Sequence, residues 1–98
     1  MNVGIAAGPL EKIRKIFHKY SQVKEVILFG SRAKGTQREG SDIDIALKGD
    51  NIDSRLLTQI SIDYDTLYLP WKLDLIVYDT IENPDLKDHI DRVGIPLC

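Results

Sequence analysis

Two long segments of the chain repeat their apolar residues at the spacing of an α-helix. The first, over about 9–20, begins with a proline, which suits the first position of a helix. The second runs from Asp53, a typical N-cap residue, to about residue 67, and Pro70 prevents its continuation. A third helix is predicted from residue 83 or 84 to about 92, with Gly94 after its end and an extended tail behind it.

Short apolar runs between these helices predict β-strands. Residues 26–29 are continuously apolar, which is typical of a central strand buried on both faces. Residues 43–47 alternate apolar with polar positions, and residues 73–78 are apolar except for Asp74. A single helical turn is predicted after Ser31, followed by a polar loop. The alternation of helices and strands predicts an α/β (α+β) fold with helices packed on a small, mixed, mostly three-stranded sheet.

The composition is that of an ordinary globular protein, and we expect one domain over residues 1–98. Of the 98 residues, 43% are hydrophobic and 29% are charged, with a mean hydropathy of -0.18. The 13 lysines and arginines are outnumbered by 15 acidic residues, for a net charge of -2. Because nucleic-acid-binding proteins carry an excess of basic residues, we do not expect DNA or RNA to be the main partner.

The sequence at the two ends of the chain indicates in which cellular compartment to expect it. The single cysteine, Cys98, cannot form an internal disulfide, so a free thiol in a reducing compartment is expected. The N-terminal residues lack the basic and long apolar segments of a secretory signal, and no stretch is long enough to span a membrane. We therefore expect a cytoplasmic protein.

The first predicted strand ends in a Gly-Ser turn with the features of an anion site. Gly30 and Ser31 offer backbone N–H groups and a hydroxyl to a phosphate, where the chain leaves a strand and enters a helical turn. Arg32 follows directly, and its charge would neutralise phosphate. The alternative is a plain strand-to-helix turn in which Ser31 is the N-cap.

Asp42 and Asp44 form a carboxylate pair at the start of the next strand. Residues two apart on a strand point to the same face, about 6.6 Å apart, so both carboxylates can converge on a cation. Such a pair raises one pKa unless a cation neutralises it, and Mg²⁺ is bound in this way by one or two carboxylates plus substrate phosphates. The Asp-x-Asp spacing alone is a weak signal, and the alternative is an exposed strand start.

Three further acids are interpreted differently according to whether they lie on a predicted helix or a predicted strand. Asp63 and Asp65 repeat the same spacing on a helix, where side chains two apart diverge by roughly 200°, so both are predicted to be solvated surface. Asp74 interrupts an apolar strand, where an unpaired buried carboxylate would cost several kcal/mol. It is the candidate third ligand for a pair of metal ions. The alternative is an ion pair with Lys72 at a strand edge.

His18, His89 and Trp71 are predicted to lie outside the site. Both histidines fall on predicted helices without Cys, His or carboxylate neighbours at metal-ligand spacing, so we expect them on the surface. Trp71 stands beside Pro70 and is expected to anchor the core or a sheet edge.

The candidate residues together resemble the signature of the nucleotidyltransferase superfamily that shares the DNA polymerase beta fold: Gly30-Ser31, Asp42-x-Asp44 and Asp74. Within it, the chain is most similar to the minimal nucleotidyltransferases, the MntA-type antitoxins encoded beside a HEPN toxin. The resemblance implies that Asp42, Asp44 and Asp74 bind two magnesium ions and that Gly30 and Ser31 hold the triphosphate. It also implies transfer of a nucleoside monophosphate, AMP from ATP, to an acceptor hydroxyl with release of pyrophosphate, Asp74 helping to deprotonate the acceptor.

The length of the chain indicates which molecule the acceptor is. Polymerases, CCA-adding enzymes and antibiotic adenylyltransferases that resemble this fold carry further helical domains for the acceptor, so the resemblance implies that the HEPN toxin is itself adenylylated, on a tyrosine. Two alternatives stay open. One is a catalytically idle binding module that neutralises its partner by occlusion, and the other is a standalone transferase for a small hydroxyl compound, with a homodimer completing the pocket.

Overall fold

The architecture is that of a computed structural model, which describes residues 3–97. Met1, Asn2 and Cys98 lie outside the described residues, and with them the expected free thiol and the start of the segment tested for a secretory signal. The helices are α1 (Ala7–His18), α2 (Ser31–Lys34), α3 (Ser54–Asp65) and α4 (Pro84–Val93), with a 3-10 helix at Tyr78–Thr80. The strands are β1 (Val23–Phe29), β2 (Ile43–Gly49), β3 (Leu73–Val77) and β4 (Ile95–Pro96). No helix within residues 3–97 has the length and apolar character needed to cross a membrane.

The predicted order of elements is confirmed, with shifted ends. α1 begins at Ala7 rather than Pro9, because proline is tolerated throughout the first turn, where the N–H group has no partner within the helix. β1 begins at Val23 rather than Val26, and the residues it adds are mostly exposed, so they gave no apolar signal. The start of α3 is as predicted, since the Asp53 carboxylate accepts a hydrogen bond from a backbone N–H of the first turn at 2.9 Å.

The strands form one mixed sheet in the order β3-β2-β1-β4. β1 pairs antiparallel with β2 and with β4, and β2 pairs parallel with β3. β1 is therefore interior, as predicted. The predicted tail is in fact the fourth strand, β4, which consists of two residues and includes Pro96. Such a segment carries no period-2 pattern, and its proline is tolerated because the strand lies at an edge of the sheet.

The two faces of the sheet are covered unequally, and this positions the site. One face carries Ile45 of β2 in the larger apolar cluster, which includes α1 and α3. The other face carries Phe29, Ala46 and Ile90, the last from α4. Because successive residues of a strand alternate between faces, Asp44 lies on this second face. The candidate carboxylates thus stand on the face that is covered by one helix.

Asp63 of α3 contacts residues that directly follow α1, so the prediction that Asp63 is solvated surface is wrong. Its side chain is 17% exposed, and it lies 3.0 Å from the Lys19 ammonium and accepts a short hydrogen bond from the Tyr20 hydroxyl. These bonds lower the pKa of the Asp63 carboxyl, the Tyr20 hydroxyl having the largest effect. Asp65 is exposed, as expected. The helix directs Asp63 and Asp65 to different sides, as predicted. The partners of Asp63 lie in another part of the chain, so helix spacing alone could not predict them.

We expect the substitution Asp63→Ala to destabilise the fold by about 1–2 kcal/mol at neutral pH, because it leaves the Tyr20 hydroxyl without its acceptor. A carboxyl whose pKa is lower in the folded state stabilises the fold fully above its unfolded value of 3.8, and this contribution is lost as the pH falls below that value. Thermal unfolding of both proteins should therefore differ at neutral pH and converge in acid. The same difference at both pH values would show that the charge of Asp63 contributes nothing.

Candidate active site

A row of side chains crosses three strands on the α4 face. In the sheet register, Asp44 is the partner of Phe29 on β1 and of Asp74 on β3. Residues in register on neighbouring strands point to the same face, with their backbones about 4.8 Å apart. Asp42 precedes β2 by one residue and by alternation shares this face. The structure thus places the three predicted carboxylates on one face at one end of the sheet.

The Gly30 turn touches this row directly. Gly30 has φ 76° and ψ -155°, a conformation that favours glycine. A Cβ atom at this position would overlap the carboxylate oxygen Oδ2 of Asp44. Both the backbone angle and the close approach therefore require glycine here. The turn and the carboxylate pair, which are separate motifs in the sequence, form one site in the fold.

Ser31 is the first residue of α2 and is half-buried. Within residues 3–97, its hydroxyl group has no hydrogen-bond partner, and its carbonyl accepts a bond from the Thr36 N–H at 2.9 Å. The alternative, in which Ser31 is the N-cap, is wrong, because Gly30 occupies the N-cap position and no side chain caps α2. The Ser31 hydroxyl is therefore available to a ligand.

Arg32 is 2% exposed, and its guanidinium is bound to the chain itself. It donates to the carbonyl oxygens of Val3 at 2.8 Å, Ser41 at 2.7 Å and Asp42 at 3.3 Å. The guanidinium carbon lies 5.3 Å from the centre of the Trp71 ring, which packs on the core as expected. These contacts favour a role in fixing the loop in front of β2. The predicted contact of Arg32 with triphosphate stays a prediction.

The electrostatics of the row centre on Asp44. Burial raises the pKa of the Asp44 carboxyl, and the negative charges of Asp74 and Asp42 raise it further, whereas the positive charge of Arg32 acts in the opposite sense. Within residues 3–97, no three His, Cys, Asp or Glu side chains are arranged to hold a metal ion as they stand. Burial is the first cause of this raised pKa, and repulsion from the neighbouring carboxylates adds to it.

Asp42 and Asp74 differ in their surroundings. Asp42 is exposed, whereas Asp74 is half-buried on β3, which lies at an edge of the sheet and is half-buried throughout. The alternative for Asp74 is an ion pair with Lys72, and among the described residues no such pair is formed. Asp74 therefore has a like-charged neighbour in register and no described counter-charge.

His89 of α4 contacts the site, so the prediction that it is a surface residue is wrong, whereas His18 is exposed as predicted. The Gly30 N–H group donates to His89 Nε2 at 3.1 Å. The imidazole meets the Phe29 ring edge to face, with centroids 6.2 Å apart and planes at 79°. Gly30 and His89 are separated by 59 positions, and no local spacing signals such a contact.

Comparison with known proteins supports the same interpretation of the fold. A family model described as "Polymerase beta, Nucleotidyltransferase" matches residues 11–98. Two proteins of Methanocaldococcus jannaschii, MJ1379 and MJ1217, are named as inferred protein adenylyltransferases. The first is 38% identical over 85 residues and the second 39% over 84, each match covering 85% of this chain and 85% of the relative.

A solved structure shows a similar fold. It is a chain of a toxin–antitoxin crystal structure with AMP-PNP, with a TM-score of 0.75, 25% identity, and coverage of 91% of this chain and 72% of that one. The family match and the similar fold define the class, that of nucleotide-transferring proteins. This chain belongs to the Polymerase beta nucleotidyltransferase family, and it is a nucleotidyltransferase.

Proposed function

We propose that the chain transfers AMP from ATP to a hydroxyl of a partner protein in a reaction that depends on Mg²⁺. The observation that carries the proposal is the register of Asp44 with Asp74, directly beside the Gly30 turn. The similarity to inferred protein adenylyltransferases supports AMP as the group transferred. The similarity to a toxin–antitoxin chain crystallised with AMP-PNP supports an ATP site and a toxin partner.

The donor set fits magnesium. Asp42, Asp44 and Asp74 offer hard carboxylate oxygens from backbone positions on one face, and a bound ion would require their side chains to turn toward a common point. Burial and the charges of Asp74 and Asp42 raise the pKa of the Asp44 carboxyl, and a bound cation would favour its charged form. Two bound ions would supply charge stabilisation for both the attacking and the leaving oxygen. We propose these three residues as the ligands.

The remaining roles in the proposed reaction belong to residues of the chain itself. The Gly30–Ser31 turn binds the triphosphate through the backbone N–H and the free hydroxyl of Ser31, since the Gly30 N–H is donated to His89. Asp74 accepts the proton of the acceptor hydroxyl, whose oxygen forms a bond to the α-phosphorus. The bond from that phosphorus to the oxygen bridging the α- and β-phosphates breaks, and pyrophosphate leaves. The proposed acceptor is a tyrosine of a HEPN-type toxin, and the proposed result is antitoxin activity.

The proposal is tested by incubating the chain with ATP, Mg²⁺ and the product of the neighbouring gene, and by weighing that product with mass spectrometry. We expect the mass to rise by one or more AMP units, and no increase when a chelator removes the metal. An unmodified product with the wild-type chain would contradict the proposal. Neutralisation of the partner by Asp42→Asn and Asp74→Asn variants that transfer nothing would instead support the idle binding module.

A further inference from the structure

The contact between α4 and the Gly30 turn has a consequence for nucleotide binding. Gly30 must be glycine because a Cβ would overlap the Asp44 carboxylate. Glycine, however, adopts positive and negative φ with similar ease, so the sequence of the turn does not by itself select one conformation. A turn that binds triphosphate with its backbone needs its N–H groups fixed in direction before the ligand arrives. A contact from outside the turn must therefore select the conformation.

His89 supplies this contact. Its Nε2 atom accepts the Gly30 N–H at 3.1 Å, which fixes the orientation of the peptide between Phe29 and Gly30. Since Nε2 accepts this bond, the ring N–H donor is on Nδ1. The ring itself is held by its edge-to-face contact with Phe29. The bond thus links α4 to the Gly30 turn.

We propose that His89 is a positioning residue that holds the Gly30–Ser31 turn in the conformation that binds the triphosphate. This inference rests on the proposed function, in which that turn is the triphosphate site. His89 itself needs no contact with the nucleotide. The predicted effect is on affinity for the phosphate chain, whichever base is attached to it.

The test compares three substitutions of His89 and one control at His18 by equilibrium binding of ATP with Mg²⁺ and of inorganic tripolyphosphate with Mg²⁺. His89→Leu removes the acceptor and should weaken both probes about fivefold to tenfold, the effect of one well-placed hydrogen bond. His89→Gln should restore most of the affinity, because its amide oxygen reaches the place of Nε2. His89→Asn is too short to do so and should behave like the leucine variant. His18→Leu, on the exposed face of α1, should bind like the wild type.

A second measurement separates positioning from a general loss of structure. The Gly30 amide proton should lose its protection from hydrogen exchange in the leucine and asparagine variants and regain it in the glutamine variant. A merely structural role would lower the melting temperature and leave the affinity of the folded protein unchanged. Equal binding by wild type and His89→Leu, or no restoration by His89→Gln, would overturn the inference. A wild-type chain that binds neither probe would refute the proposed function, and the inference with it.

Discussion

Asp44→Asn is expected to lower the rate of AMP transfer by about 10³-fold or more. Asp44 lies at the centre of the row, in register with Asp74 and against the Gly30 turn. Replacing its carboxylate by an amide removes a charge that is proposed to hold the cations, and metal-ion charge stabilisation is worth several kcal/mol in such reactions. The measurement is the initial rate of pyrophosphate release with the partner protein present.

The chain provides a matched control in its second Asp-x-Asp sequence. Asp65→Asn makes the same chemical change in an exposed acid on α3, and it should leave the rate unchanged. Asp42→Asn should be impaired like Asp44→Asn, because both acids are proposed to share the cations. An Asp44→Asn variant with a rate within a few-fold of the wild type would remove Asp44 from the proposed catalytic site.

The same substitution should stabilise the metal-free fold. The raised pKa of Asp44 means that the folded state disfavours its charged form, so a neutral side chain of equal shape removes a cost that is present at neutral pH. Gains of up to about 1 kcal/mol are typical when an active-site compromise is removed. Activity and stability are thus expected to change in opposite directions at this residue, as in a site whose carboxylates are stabilised only when a cation is bound.

The periodicity of the sequence was sufficient for the elements that build the site. The alternation over 43–47 placed Asp44 on the face opposite Ile45, and the lone acid of the next strand proved to be its register partner. These predictions succeed because a strand fixes the direction of each side chain locally. The same logic separated Asp42 and Asp44 from the pair on α3.

Contacts between elements distant in the sequence were beyond this reasoning. His89 reaches Gly30 across 59 positions, and Asp63 reaches Tyr20 across 43. Both acceptors look like ordinary polar residues of helix surfaces, and only the packing of the helices gives them partners. The direction of Arg32 was also undetermined, because a cation after a Gly-Ser turn can point to a ligand or back into its own chain.

Arg32→Met is expected to destabilise the fold by about 3–5 kcal/mol. The buried guanidinium donates to three backbone carbonyls, of Val3, Ser41 and Asp42, and a hydrogen bond from a charged group contributes about 1.5–3 kcal/mol, although several from one group do not add fully. Since a domain of this size has a total stability of only about 5–15 kcal/mol, the expected loss is a large part of it. Urea denaturation of both proteins measures the difference.

Arg32→Lys separates the two roles considered for this residue. A lysine keeps the positive charge but cannot reach three carbonyls in the geometry of the guanidinium, so it should recover less than half of the lost stability. Its affinity for ATP, measured at a temperature where it is fully folded, should remain close to that of the wild type, because the cation is engaged with the loop and with Trp71. Wild-type stability of Arg32→Lys together with ATP binding weakened tenfold or more would instead make Arg32 a triphosphate ligand.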